Sequence, residues 1–229
     1  MKTRIIRLIA TGTLIFMLSF AARAAGADWS IGGFGGYYSP AFGEVNEWDE
    51  WYEETGIYGV DLELGAGMLY GIRAEYGISP NFALRGEIKS FSTKTSGTGY
   101  WSWSYYEEEW DLDFELTMRS VVLSGIYRLP LETLTAYMGA GVGQFATRAE
   151  LTTVARRYWD DAPEDTWTQS LSQSDSPIGL EFLGGIEYGI KNFLLAAEIK
   201  YTAAKADMGY FRTADLSGLS LILGLLLKF

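Results

Sequence analysis

The chain has 229 residues, and its 18 basic and 29 acidic side chains give a net charge of −11. This acidity excludes nucleic acid as a partner, because phosphate binding needs clustered Lys and Arg. The sequence contains neither cysteine nor histidine, which excludes disulfides, thiolate metal sites and catalytic Ser-His or Asp-His pairs. We therefore predict a protein that is not an enzyme and has no catalytic residues, metal site or cofactor.

The N-terminus has the pattern of an export signal. Three basic residues precede an apolar stretch at 8–20, and Ala22-Arg23-Ala24 supplies small residues where a signal peptidase reads. The apolar stretch is shorter than the roughly 20 residues of a membrane span, which favours cleavage after Ala24 over an uncleaved anchor helix. Residues 1–24 are then a signal peptide and 25–229 the mature domain, with a net charge of about −15.

Eight segments of the mature domain alternate between apolar and polar residues, which is the pattern of β-strands. The fourth segment has an ambiguous phase at 120–123, where we allow a bulge. The glycine-rich first and fifth segments do not reveal which face points inward. The predicted strands cover residues 29–38, 68–78, 82–89, 112–129, 136–148, 178–188, 193–203 and 219–229. The prolines lie outside these strands, as continuous pairing requires: Pro40, Pro80, Pro130, Pro163 and Pro177.

The connections between these strands alternate between short and long. Three short turns lie near Pro80, Pro130 and Asn192, and the long connections cover 39–66, 93–111, 150–177 and 204–216. This asymmetry is typical of bacterial outer-membrane barrels. A soluble sandwich or lipocalin-like barrel has the same periodicity with its apolar face inward, but Phe229, the aromatic strand ends and the loop asymmetry favour the membrane. We predict an all-β, transmembrane, antiparallel up-and-down β-barrel with eight strands, short periplasmic turns and long extracellular loops.

Several motifs resemble the small outer membrane proteins of the OmpA/OmpX/OmpW-like β-barrel superfamily. Residues 72–81 (IRAEYGISPN) are similar to its first hairpin, 136–143 (AYMGAGVG) to its fifth strand, and 185–201 to its penultimate hairpin. The resemblance implies a monomer in the Gram-negative outer membrane, in contact with lipid and lipopolysaccharide. It also implies a C-terminal assembly signal at Gly224, Leu227 and Phe229, read by periplasmic chaperones and the barrel assembly machinery. Ile222 departs from the pattern, because the family has a polar residue there.

The polar faces of the predicted strands carry both acidic and basic residues. An eight-stranded barrel has an interior just wide enough to be filled by side chains, and unpaired buried charge is costly. We therefore predict a salt-bridged lumen in a structural or surface-interaction protein; the alternative is a narrow, porin-like channel for ions or small solutes. The predicted lumen residues are Arg73, Glu75, Arg85, Glu87, Lys89, Glu115, Arg119, Glu181, Glu187, Glu198 and Lys200.

The long connections are acidic and aromatic. Runs of carboxylates in these connections stand beside four tryptophans, Trp48, Trp51, Trp101 and Trp103. Aromatic side chains lose little conformational entropy when they make contacts. We predict these tryptophans as the contact residues for an external partner at the cell surface. Anchoring to lipid at the membrane interface is the alternative, and the carboxylates could also hold divalent cations that bridge lipopolysaccharide phosphates.

Overall fold

The computed structural model of the protein describes residues 28–43, 62–103, 106–159 and 162–229. These residues form ten β-strands and one turn of 3-10 helix at Gly209–Phe211. In chain order, the strands are β1 (Trp29–Gly43), β2 (Gly67–Ser79), β3 (Phe82–Trp103), β4 (Tyr106–Pro130), β5 (Leu134–Trp159), β6 (Ala162–Asp175), β7 (Ile178–Ile190), β8 (Phe193–Ala203), β9 (Lys205–Asp207) and β10 (Thr213–Lys228). No helix within this described part of the chain is long and apolar enough to cross a membrane.

Eight of these strands close into a ring. Hydrogen bonding runs in the order β1-β2-β3-β4-β5-β7-β8-β10, and β10 pairs back onto β1 from Ser30 opposite Lys228 to Gly43 opposite Ala214. All pairs in the ring are antiparallel. The two remaining strands lie outside the ring, with β6 on β5 and β9 on β10. The predicted eight-stranded up-and-down barrel is confirmed.

An apolar belt surrounds the outside of the ring. Its side chains are large and largely exposed, which in water would be a severe aggregation hazard but which lipid requires. The belt consists of Ile72, Leu84, Ile88, Val121, Leu123, Met138, Val142, Leu180, Phe182, Ile186, Leu195, Ile199, Leu221, Leu223 and Leu225. Aromatic side chains flank the belt at the short-turn end, where Phe82 and Tyr127 lie with ring centroids 5.0 Å apart. This surface identifies the barrel as transmembrane rather than as a soluble barrel with an inward apolar face.

A sheet projects beyond the belt at the long-loop end. It consists of residues 90–103 of β3, 106–119 of β4, 146–159 of β5 and the whole of β6, and we call it the projecting sheet. Most of the segments predicted as loops at 93–111 and 150–177 are therefore paired strand, and those two loop predictions were wrong. Beyond the membrane the outer face of these strands meets water. Polar residues therefore occupy the outer face and apolar residues the inner face, so these segments lack the pattern of a lipid-facing strand.

Two further details of the predicted strands are corrected. β4 pairs with β3 and with β5 without a register shift, so 120–123 contains no bulge. Three prolines lie within strands after all: Pro40 in β1, Pro130 at the end of β4, and Pro163 in β6. Pro40 stands beside a register shift between β1 and β10, and Pro163 beside one between β5 and β6, which is where a residue without an amide donor is tolerated.

Candidate functional site: the barrel interior and the projecting sheet

The part of the interior near the short turns holds a charged layer. Five cations and five carboxylates meet there: Arg73, Arg85, Lys89, Arg128 and Lys200 with Glu75, Glu87, Glu181, Glu187 and Glu198. The alternation of β2, β3, β4, β7 and β8 places these side chains inside, because their neighbours in sequence are apolar side chains on the outer face. The ten charges sum to zero, as a layer screened from water requires.

Glu198 lies at the centre of the charged layer and is 3% exposed. Its carboxylate pairs with Arg85, lies 3.4 Å from Arg73 Nη1 and 3.2 Å from Lys200 Nζ, and accepts a 2.8 Å hydrogen bond from the Tyr137 hydroxyl. Lys200 also pairs with Glu87 and Glu181, and Lys89 pairs with Glu181. Glu75 pairs with both Arg85 and Arg128, so one connected network joins the five strands that carry charge.

Two residues predicted for the lumen lie elsewhere. Glu115 and Arg119 are exposed on the outer face of β4, because Leu116, Met118 and Ser120 occupy its inner face. The prediction assumed that the polar side of every strand faces inward, which fails where β4 leaves the membrane. Arg128 was missed: it pairs with Glu75 inside the short-turn mouth of the barrel. The sequence could have revealed this position, because Arg128 is separated by even numbers of residues from Ser120 and Ser124 on the inner face of β4.

An apolar plug fills the interior on the long-loop side of the charged layer. Aromatic rings mark the boundary between the two, since Arg73 lies 5.0 Å from the Phe34 ring centroid and Lys89 5.8 Å from that of Phe145. Above them, Phe114 packs against Phe211 of the 3-10 helix with ring centroids 5.3 Å apart. The plug consists of Phe34, Tyr38, Phe42, Leu62, Leu64, Leu69, Phe91, Leu112, Phe114, Leu116, Met118, Val122, Phe145, Ala149, Leu151, Ala204, Ala206, Met208, Phe211, Ala214, Leu216 and Ile222.

The predicted assembly residues are all on β10 or just after it. Gly224 faces inward, and a Cβ there would lie 3.0 Å from Arg73 Nη2, so the glycine makes room for the charged layer. Leu227 and Phe229 face outward and are partly exposed. The Phe229 backbone amide donates a 2.9 Å hydrogen bond to the Trp29 carbonyl, which ties the end of the chain to β1. Their role in assembly stays a prediction.

The four predicted contact tryptophans do not form one described group. Trp48 and Trp51 lie outside the described residues, as does the side chain of Trp103. Trp101 is half-buried near the tip of the projecting sheet, where it lines a groove of about 460 Å³ with Tyr100, Ser102, Glu107–Glu109 and Tyr158. Partner contact through these residues stays a prediction.

Ion pairs stiffen the tip of the projecting sheet. Arg157 donates from Nε and Nη2 to Glu108 at 2.9 and 2.6 Å, and its guanidinium lies 5.2 Å from the Trp167 ring centroid. On the opposite face, the Tyr158 hydroxyl donates a 3.2 Å hydrogen bond to Glu109. Desolvation and this hydrogen bond raise the pKa of Tyr158. No cluster of three or more metal-ligating side chains occurs in the residues the structure describes.

Comparisons with known proteins concern the fold. No family model and no curated protein matches the sequence. Similar solved structures include Neisserial surface protein A (18% identity, 89% of this chain and 99% of that chain, TM-score 0.47). Ail, the attachment invasion locus protein of Yersinia pestis, is 15% identical over 89% of this chain and 97% of its own, with a TM-score of 0.43. The outer membrane protein OprG from Pseudomonas aeruginosa is 13% identical over 89% and 96%, with a TM-score of 0.41.

These neighbours are small outer membrane β-barrel proteins, the class that the sequence resembles. The assignment of the present chain to the eight-stranded transmembrane barrels rests on its own closed ring of strands and its own apolar belt.

Proposed function

We propose that the protein is a closed, non-catalytic barrel of the bacterial outer membrane that holds the projecting sheet at the cell surface for contact with a partner. The observation that carries this proposal is the apolar plug above the charged layer. The predicted export signal and the apolar belt support the outer membrane as its location, and a ring that pairs fully with itself supports a monomer. The tip groove beside Trp101 and the external loops are the surfaces proposed for contact.

The plug argues against conduction through the lumen. An ion that crosses the barrel must leave water and pass side chains such as Leu116, Phe145 and Phe211, each of which is 0% exposed. Hydrophobic constrictions of this kind exclude water and act as closed gates, and an unpaired charge in an apolar environment costs many kcal/mol. The charged layer then serves as a structural filling of the barrel.

The channel alternative is favoured by one observation. Several buried polar atoms of the charged layer have no hydrogen-bond partner among the described residues, including Arg73 Nε and the hydroxyls of Ser120 and Ser124. Water is the usual partner of such groups. A hydrated charged layer would conduct if the plug moved aside, so the two functions differ in the behaviour of the plug.

Planar-bilayer recordings of the refolded mature protein test the proposal. We expect no steady current steps from the wild-type barrel. The double variant Leu116→Ala with Phe145→Ala removes the centre of the plug and should produce current steps, because water and ions can then reach the charged layer from both sides. The matched control is Leu123→Ala with Phe182→Ala, which truncates one leucine and one phenylalanine that face lipid, on β4 and β7.

The control variant should stay as silent as the wild type. Steady, ion-selective conductance of the wild-type barrel that changes on Glu198→Gln would contradict the proposal and favour the channel.

A further inference from the structure

Two arginines, Arg119 and Arg148, stand on the outer face of the barrel beyond the apolar belt. Arg119 follows the belt residues Leu123 and Val121 outward along β4. Its cross-strand partners are Ser90 on β3 and Ala146 on β5. Arg148, which is also exposed, lies two residues further along β5 than Ala146, so the two arginines are diagonal neighbours with Cα atoms about 7–8 Å apart.

Along the barrel axis, Arg119 lies at the level of the lipid headgroups of the outer leaflet. Tyr127 belongs to the aromatic residues at the short-turn edge of the belt. Along β4, eight residues separate it from Arg119, which lies at the opposite edge. Eight residues in a strand tilted by about 40° rise roughly 20 Å, and the apolar band of such barrels is about 25 Å tall. The long side chain of an arginine bridges the difference by extending toward the headgroups.

Arg119 is the exception among the arginines near it. In the described part of the chain it makes no ion pair, although carboxylates are abundant on the same strand. Arg156, further out on β5, is held by Asp111 at 2.6 Å and by Glu109 at 3.7 Å. Arg119 therefore offers a free guanidinium at the level where anionic groups of the membrane lie.

Arg148 is only loosely held. Its Nη2 lies 3.3 Å from Glu150, with side chains 57% and 47% exposed, and its Nε donates to Ser172 at 3.1 Å. Exposed ion pairs of this kind contribute about 0–1 kcal/mol, so Arg148 can exchange this contact for a stronger anion. Ser90 and Ser92 on β3 lie beside Arg119 and Thr117 in the register and add hydroxyl donors.

We infer that Arg119 and Arg148 together bind a phosphate group of an outer-leaflet lipid, such as a phosphate of lipid A. Two planar guanidinium forks match phosphate oxygens in bidentate geometry. The lipid is the favoured source of the phosphate because the site begins where the belt ends, so that bound acyl chains would lie against Val121 and Val142. The inference rests on the proposed outer-membrane location, and it replaces cation-bridged carboxylates as the contact with lipopolysaccharide.

Native mass spectrometry of the folded barrel in detergent, with diphosphoryl lipid A added, tests the inference. The wild type should retain lipid A, and Arg119→Gln with Arg148→Gln should bind it at least about ten-fold more weakly, as expected for losing charge-assisted hydrogen bonds. The matched control is Arg156→Gln, a partly exposed arginine on the same side of the sheet, which should bind like the wild type. Arg119→Lys should fall between, because the charge remains without the fork.

Three further arms separate the sources of binding. Dephosphorylated lipid A should bind the wild type as weakly as diphosphoryl lipid A binds the double variant. Millimolar inorganic phosphate should not displace lipid A, and EDTA should not release it. Equal binding by the double variant would overturn the inference, as would release by EDTA, which would indicate carboxylate–cation bridges, or displacement by phosphate, which would indicate a site for a free anion.

The folded state of each variant is checked beforehand by its mobility in unheated gels. Because this experiment is made on the folded barrel in detergent, its failure leaves the closed lumen untouched, and steady conductance in bilayers would leave the phosphate site untouched.

Discussion

Glu198 shows what a single buried charge does in this protein. It accepts contacts from two arginines, a lysine and a tyrosine inside a barrel that lipid surrounds. Exchanging a whole buried ion pair for apolar groups is often neutral, whereas removing one partner leaves the others uncompensated and is strongly destabilising. The layer as a whole is therefore sensitive to single substitutions even if its net contribution to stability is modest.

We expect Glu198→Gln to lower the free energy of unfolding by about 3–5 kcal/mol, because three cations lose their shared counter-charge. The measurement is urea unfolding of the barrel refolded in lipid vesicles. Glu115→Gln is the matched control: Glu115 is exposed on β4, and its substitution should change stability by less than about 0.5 kcal/mol. Equal effects of the two substitutions would show that the charged layer is not a stabilising network.

At the scale of elements, the seam between β1 and β10 closes the ring. Gly32 faces inward opposite Leu226, and an added Cβ would lie 2.0 Å from the Leu225 carbonyl oxygen. Gly33 faces outward, and the nearest atom to its Cβ would be the Gly71 carbonyl oxygen at 3.8 Å. Between these two positions, only the inward-facing Gly32 is needed for the close approach of β1 to β10, whereas the outward-facing Gly33 has room for a side chain.

Gly32→Ala should destabilise the barrel by about 1–3 kcal/mol or more, because the methyl group forces β1 away from β10. Gly33→Ala should be close to neutral, because its methyl group meets only ordinary contacts. The fraction of heat-modifiable, folded barrel after refolding, together with urea unfolding, measures both. If Gly33→Ala proved the more damaging of the two, the inward and outward faces of β1 would be reversed.

At the scale of the whole molecule, the end of the chain combines a small structural contact with the assembly role predicted from the family resemblance. Phe229 adds one backbone hydrogen bond and one partly exposed ring to the barrel. Such contacts contribute little to the stability of a ring with eight paired strands. A large effect of Phe229 in cells would therefore come from recognition by chaperones and the assembly machinery, which remain proposed partners.

Deleting Phe229 should reduce the amount of barrel assembled in the outer membrane several-fold, while the refolded protein loses less than about 1 kcal/mol of stability. The matched control is Phe193→Ala, which truncates an equally exposed ring at the same edge of the belt and should leave assembly unchanged. Membrane fractionation and urea unfolding are the two measurements. Normal assembly without Phe229 would remove it from the assembly signal.

The periodicity of the chain determined which residues share a face. It placed β8 at its observed bounds, brought Arg73, Glu87 and Glu198 to one side of their strands, and set the number of strands in the ring. These features are local, because alternate residues of a strand point to opposite faces whatever surrounds them.

Only the tertiary structure decided which face meets lipid, water or the interior at each height. The same alternation in β4 buries Leu116 and exposes Arg119, because that half of the strand lies beyond the belt, whereas in β3 it buries Arg85 and exposes Leu84. The pairing of β6 with β5 and the packing of Phe211 into the plug depend on contacts between distant segments. A period-two pattern shows which residues share a face of a strand. It does not show whether that face meets lipid, water or the interior, and this environment changes along the barrel axis.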